Sequence, residues 1–290
     1  SANNTLIKPS FWTSGTLCQI SSAWWGITGT SKKLSSDFGF IFDSGEITGT
    51  ASADNIITTG TTTKIEGNGG DDVITNYKSS NTTIYTYKEG QKDTGISTVS
   101  IYNGYVSGMN IYAQSAENYI YNISNYSSNN DNFFAYIDQK TYIQDNGGNN
   151  DSLTITNTVS TTDGNKLNLH VLFNVSSTYT AEQGASAIGN IIITDNATKA
   201  NYDAWKDDGA YAGISVKNNA IETINSSDNY TLTNTDIANL GQSVASWLSN
   251  NGYTNVDGVF SNELSKDDNN SADIAALVAQ FDNAVWQDPA

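Results

Sequence analysis

The chain has 290 residues, with 13 basic side chains against 30 acidic ones and a formal charge of -17. Every basic residue is lysine, and there is one histidine, one cysteine and one methionine among 24 glycines. An acidic chain without arginine lacks the electrostatic footprint of a nucleic-acid binder, and an anionic bilayer surface repels it. Cys18 alone cannot form an internal disulfide. Cys18 and His170 together are too few for a Cys/His zinc site. No run of 18 apolar residues occurs, so no membrane span is expected. Aromatics at 11% and hydrophobics at 37% favour folding over disorder. The opening S-A-N-N-T-L-I-K-P-S shows no basic stretch followed by an apolar one. The expectation is a signal already removed, or export that uses none.

Residues 1–45 are rich in aromatics: Phe11, Trp12, Trp24, Trp25, Phe38, Phe40 and Phe42. The alternation of the last three predicts a half-buried strand. The tryptophans read as core, or else as a glycan-stacking platform or a subunit interface, since rigid aromatics serve all three.

Residues 46–204 change character. Short β-branched and tyrosine-rich runs alternate with Gly, Asn, Asp and Ser clusters, which predicts many short strands. Ile56, Ile65 and Ile74 are nine apart, and Ile101, Ile111 and Ile120 follow at spacings of ten and nine. That period is too short for a helical repeat. It fits one strand plus one tight turn, stacked as a coil of parallel strands whose inward side chains bury one another. The fold class expected is therefore mainly β, a parallel β-roll or β-solenoid-like body with a small helical C-terminal part.

Residues 205–290 supply that part. Thr235–Ser249 places Ile237, Leu240, Val244, Trp247 and Leu248 at helical spacing, and Gly252 follows as a stop. Ser271–Trp286 places Ile274, Leu277, Val278, Phe281 and Val285 on one face, with Ser271 as the expected N-cap.

The segment Gly67–Thr75 reads G-N-G-G-D-D-V-I-T. It resembles the nonapeptide G-G-x-G-x-D-x-U-x of the RTX (repeat-in-toxin) calcium-binding proteins. Gly67, Gly70, Asp72 and Ile74 match, and Asn68 stands at the second glycine. Gly49–Ile57 keeps the first glycine, Asp54 and Ile56. Asn146–Thr154 keeps Gly147, Asp151 and Leu153. The resemblance implies a β-roll in which consecutive strands alternate between two sheets, so loops on one edge recur every two nonapeptides. Asp54 and Asp72 are separated by that distance. Glycines let such turns adopt positive φ, and Ca²⁺ takes about six to eight oxygens, more than one turn supplies. The metal ligands implied are Asp54 and Asp72 with carbonyls around Gly67 and Gly69, and a second site at Asp151. Stretches such as L-N-L-H-V-L-F-N-V, G-N-I-I-I-T-D and S-V-A-S-W-L-S-N-N-G-Y are similar to C-terminal modules of RTX adhesins and surface-layer proteins. That likeness implies type I secretion by a bacterium and a place outside the cell or on its surface.

No H-E-x-x-H pair and no G-x-S-x-G elbow occurs, so an enzyme is not expected. His170 alternates within L-N-L-H-V-L-F and reads as a strand residue. The function expected is an exported calcium-binding structural protein, a homo-oligomer or polymer forming a surface layer, sheath or filament. The alternative is a calcium-dependent adhesin or a module that binds cell-surface glycan.

Overall fold

A computed structural model of the chain describes residues 4–7, 18–21, 40–76, 81–101, 108–122, 130–146, 148, 150–156, 169–195, 213–217, 221–261, 270–281 and 286–287. The chain forms two compact units, Ser1–Tyr126 and Ser127–Ala290. The architecture is mainly β, a parallel β-solenoid of about four turns with a small C-terminal helical part.

The first unit contains β1 (Asn4–Ile7) and β2 (Cys18–Ser21), an antiparallel pair in which Ile7 faces Cys18. The roll itself runs through β3 (Phe40–Thr48), β4 (Asn55–Glu66), β5 (Asp72–Asn76), β6 (Thr83–Tyr85), β7 (Ile96–Ile101), β8 (Asn110–Ala113) and β9 (Glu117–Asn122). The long β3 and β4 each serve both sheets. The first half of β4 pairs with β5, which pairs with β7, which pairs with β9; its second half pairs with β6, which pairs with β8. All these pairings are parallel. Sequence neighbours therefore alternate between sheets, as the resemblance to the RTX nonapeptide implied, and the two segments 18 residues apart lead into strands of the same sheet.

The register explains the isoleucines. Ile56, Ile74, Val99 and Ile120 stack in one sheet, and Ile65, Ile84 and Ile111 in the other. All seven are fully buried. Full burial of such a side chain stabilises by roughly 1.5–3 kcal/mol. Ile101 departs from expectation: the repeat position in β7 belongs to Val99, and Ile101 stacks between Asn76 and Asn122 at the strand ends.

The second unit repeats the parallel layout and then closes it differently. β10 (Asn132–Tyr136), β12 (Ser152–Thr156) and β16 (Thr223–Ser226) pair in parallel, and β11 (Lys140–Asp145) pairs in parallel with β15 (Gly213–Lys217). Each sheet then turns antiparallel. β17 (Thr231–Thr233) joins β16, while β14 (Ile191–Thr194) joins β15 and β13 (His170–Phe173) joins β14. Phe133, Leu153 and Ile224 form one buried column, and Ile143, Val216, Ile191 and Phe173 another.

Among the described residues three α-helices follow: α1 (Asn234–Asn250), α2 (Val256–Ser261) and α3 (Asn270–Phe281). A capping box of Thr233 and Asp236 starts α1, and Gly252 at φ 79° follows its end. Ile237, Leu240, Val244 and Leu248 are buried on its inner face, while Trp247 is half-exposed. The expected second helix is α3. It begins at Asn270, so Ser271 lies inside it and is not its cap. Leu277 and Phe281 are its buried positions, and Phe281 meets Phe173 edge-on at 5.1 Å between ring centres.

Neighbours on β5 make a direct test of the roll. Ile74 is fully buried and Val73 is 39% exposed. Ile74→Ala should cost about 2–5 kcal/mol in urea denaturation, whereas Val73→Ala should stay within about 0.5 kcal/mol.

Candidate metal centre

The loops that connect the second sheet of the first unit back to the first sheet are residues 49–54, 67–71, 86–95 and 114–116. They lie on one edge because each follows a strand of one parallel stack and precedes a strand of the other. Adjacent parallel strands are about 4.8 Å apart, so the loops must stack as closely. The glycines make that possible. A Cβ on Gly49 would sit 2.1 Å from the Gly67 carbonyl oxygen, and one on Gly67 would sit 2.3 Å from the Thr86 oxygen. Gly69 and Gly70 have φ of 111° and 90°. Asn68 occupies the position of the missing glycine at φ 72°, which Asn tolerates. Its side-chain amide donates to the Gly49 carbonyl at 3.0 Å, so this departure from the nonapeptide adds a contact between turns.

Asp54 and Asp72 meet at the head of the strands. The Asp54 N–H donates to Asp72 Oδ1 at 2.9 Å, and the Thr50 N–H donates to Asp54 Oδ2. Both aspartates are buried. Asp72 Oδ2 has no hydrogen-bond partner and lies 2.4 Å from the Cβ position of Gly67. Burial drives the Asp72 carboxyl up to about 8. The Asp54 N–H opposes the shift, and the charges of Asp54, Asp93 and Asp71 add to it.

Two of these aspartates were not singled out by the motif. Asp71 Oδ1 accepts the Ile96 N–H at 2.9 Å. Asp93 Oδ1 accepts the Thr94 N–H at 2.7 Å, and Asp93 Oδ2 is buried without a hydrogen-bond partner. Asp93 Oδ2 stands 3.8 Å from the Cβ position of Gly69. It comes from a loop that breaks the nine-residue period, so spacing could not reveal it.

Asp151 belongs to the second unit and has its own surroundings. Its Oδ1 accepts the Asp131 N–H at 2.7 Å, and its own N–H donates to Glu222 Oε2 at 2.7 Å. The same cap therefore recurs: a carboxylate of one turn holds the N–H that heads the preceding turn. Burial pushes the Asp151 carboxyl up. The Asp131 N–H and the neighbouring Asp145 carboxyl pull it back, and the charges of Asp131 and Glu222 add to the rise. Gly148 leaves room for Asp151, whose Oδ2 lies 1.8 Å from where a Cβ would be. Glu222 is 71 residues further along the chain, and no local motif pointed to it.

The donor chemistry fits a hard cation in the first unit. Buried carboxylate oxygens without donors, in glycine-rich loops that offer backbone carbonyls, suit Ca²⁺. Among the described residues no three His, Cys, Asp or Glu side chains converge to hold a metal. Asp54 and Asp72 would hold an ion with backbone oxygens completing the shell. Trp12, Trp24 and Trp25 lie outside the described residues. His170 faces Thr194 across the β13–β14 pair. The described helices include none long and apolar enough to cross a membrane.

This arrangement of stacked strands and edge loops defines a parallel β-solenoid of the roll type. No family model, curated protein or solved structure matches the chain.

Two outcomes follow from the edge. Gly67→Ala should destabilise the first unit by more than Gly90→Ala, because a Cβ on Gly67 runs into the Thr86 backbone whereas one on Gly90 meets nothing within 4 Å and carries only the strain of its φ of 72°. Both positions are compared by chemical denaturation. The second concerns pH. Asp72 has a folded pKa raised to about 8 from an ordinary 3.8. The protonated form is favoured by folding, so its stabilisation is complete below the unfolded value and is lost as pH rises through the folded one. In chelator, the thermal midpoint should fall between pH 5 and 8.5, and Asp72→Asn should flatten that fall.

Proposed function

We propose that this chain is an exported calcium-binding structural protein that assembles with copies of itself into an extracellular surface layer, sheath or filament. The observation that carries the calcium part is Asp72, buried at 1% exposure with one carboxylate oxygen lacking a donor. At neutral pH such a group needs either a proton or a cation. A divalent ion bound by the Asp54 and Asp72 carboxylates supplies positive charge where the loops of adjacent turns meet. It therefore competes with protons for Asp72. The chain charge of -17 supports the same reading, since cations reduce its self-repulsion.

Assembly is supported by the outer faces of the roll. Half-exposed Tyr112 stacks at 4.6 Å on Tyr85, which is itself only 7% exposed beneath Lys64, and Lys64 bridges Glu66 and Glu89 at 3.0 Å from each carboxylate. Thr, Asn and Tyr occupy other outward positions, such as Asn55, Thr98, Tyr119 and Tyr121. Such surfaces combine aromatic anchors with groups that hydrogen-bond across an interface.

The test is purification in EDTA followed by addition of millimolar Ca²⁺, read by circular dichroism and negative-stain electron microscopy. The expected outcome is a gain of β signal together with ordered sheets or filaments. Asp72→Asn should raise the Ca²⁺ concentration required by at least about tenfold. Folding into a soluble monomer overturns the assembly part. Absence of any response to Ca²⁺ overturns the calcium part.

A further inference from the structure

The second unit contains a cleft of about 280 Å³, lined by residues of the 174–187 segment and by Asn255. It takes no residue from the acidic loops and does not depend on the calcium reading. Its lining side chains among the described residues carry no charge. They are amides, a hydroxyl, an aromatic ring and two small apolar groups.

Each of the three lining amides has a partner, and that of Asn174 is taken up at its NH₂ end, which donates to Asp257 Oδ2 at 3.1 Å. Gln183 Oε1 accepts the Thr180 N–H at 2.9 Å, and Asn255 Oδ1 accepts the Gly258 N–H at 2.7 Å. The last two bonds assign the carbonyl ends of Gln183 and Asn255 to the protein, which leaves Gln183 Nε2 and Asn255 Nδ2 as the ends that can face a ligand. The Tyr179 ring is held from two sides. Its hydroxyl donates to the Gly184 carbonyl at 3.0 Å, and Gly241 of α1 brings the helix so close that a Cβ there would lie 2.7 Å from the ring. Ala187, exposed on its 3-10 turn, adds apolar surface, whereas Val175 and Tyr179 are each only 6% exposed and close the floor of the cleft.

We infer that this cleft binds one neutral sugar ring. Fixed NH₂ donors suit hydroxyl and carbonyl oxygens of a ligand, and donors that are already oriented cost little to order. The Ser176 hydroxyl can both donate and accept. The Ala187 methyl and the open edge of the Tyr179 ring suit a C–H face of a pyranose. The absence of a charged lining group disfavours phosphates, carboxylates and amines. The volume is small against the roughly 300–1,000 Å³ of pockets for drug-sized ligands, so a single ring or chain end fits better than an internal stretch of polymer.

The test uses saturation-transfer NMR on the folded full chain with glucose, galactose and N-acetylglucosamine at millimolar concentration. Two substitutions report on the cleft. Ala187→Phe fills it from an exposed position. Gln183→Glu keeps the oxygen that accepts from Thr180 and removes the NH₂ donor. Circular dichroism confirms that both variants stay folded. The expected result is transfer to at least one sugar, reduced at least about fivefold in each variant. Transfer to none of the three sugars overturns the proposal, as does transfer that survives both substitutions.

Discussion

The distance between neighbouring turns governs the first unit. Parallel pairing fixes it at about 4.8 Å along the whole stack, and loops at the sheet edges cannot opt out. A side chain that points between turns at such a loop would have to pass through backbone. Gly49 and Gly67 avoid this by having no Cβ, and Gly95 does the same against the Gly70 carbonyl, 2.3 Å from where its Cβ would be. The glycines of the nonapeptide are therefore spaced by the geometry of the stack, whatever the loops bind.

The same constraint creates the buried acids. A strand that starts inside the stack leaves an N–H with no water to accept from it, and such a group must find a partner. Asp72 supplies it for Asp54, Asp151 for Asp131, and Glu222 for Asp151. One oxygen of a carboxylate satisfies the N–H. The second is surplus, and in Asp72 it stays buried without a donor. The structural task thus leaves behind a group suited to a cation. A carboxamide in the same place would cap the N–H without that surplus charge.

Much of this was legible in sequence because it is local. The nine-residue spacing of Ile56, Ile65 and Ile74 gave the strand period, while the alternation of sheets was implied by the resemblance to the RTX nonapeptide and agreed with the 18-residue step from Asp54 to Asp72. The helical stripes of α1 and α3 were legible for the same reason. What stayed hidden depends on chain-distant pairing. The longer 86–95 loop brings Asp93 beside Gly69 out of period. The return from β12 to β16 passes through the antiparallel strands β13 and β14, so Glu222 arrives beside Asp151 from far along the chain. Nothing in the residues around Glu222 marks that destination, since only the register of the finished sheet defines it.

The buried column at the strand starts of the first unit changes as the roll proceeds. Asp54 and Asp72 precede the paired Asn55 and Val73. Ser97 pairs with Asp72, and Asn118 pairs with Ser97. Two acids give way to a hydroxyl and then an amide, all buried. The later members are satisfied without charge: Ser97 Oγ lies 2.8 Å from Ser115 Oγ, and Asn118 Oδ1 accepts from the Thr86 hydroxyl at 2.8 Å. Burying a charge is far more costly than burying a neutral group with partners. A stack built for closure alone would use the neutral solution throughout. Keeping carboxylates only at Asp54 and Asp72, where the glycine-rich loops also converge, confines the need for a counter-charge to one end of the column.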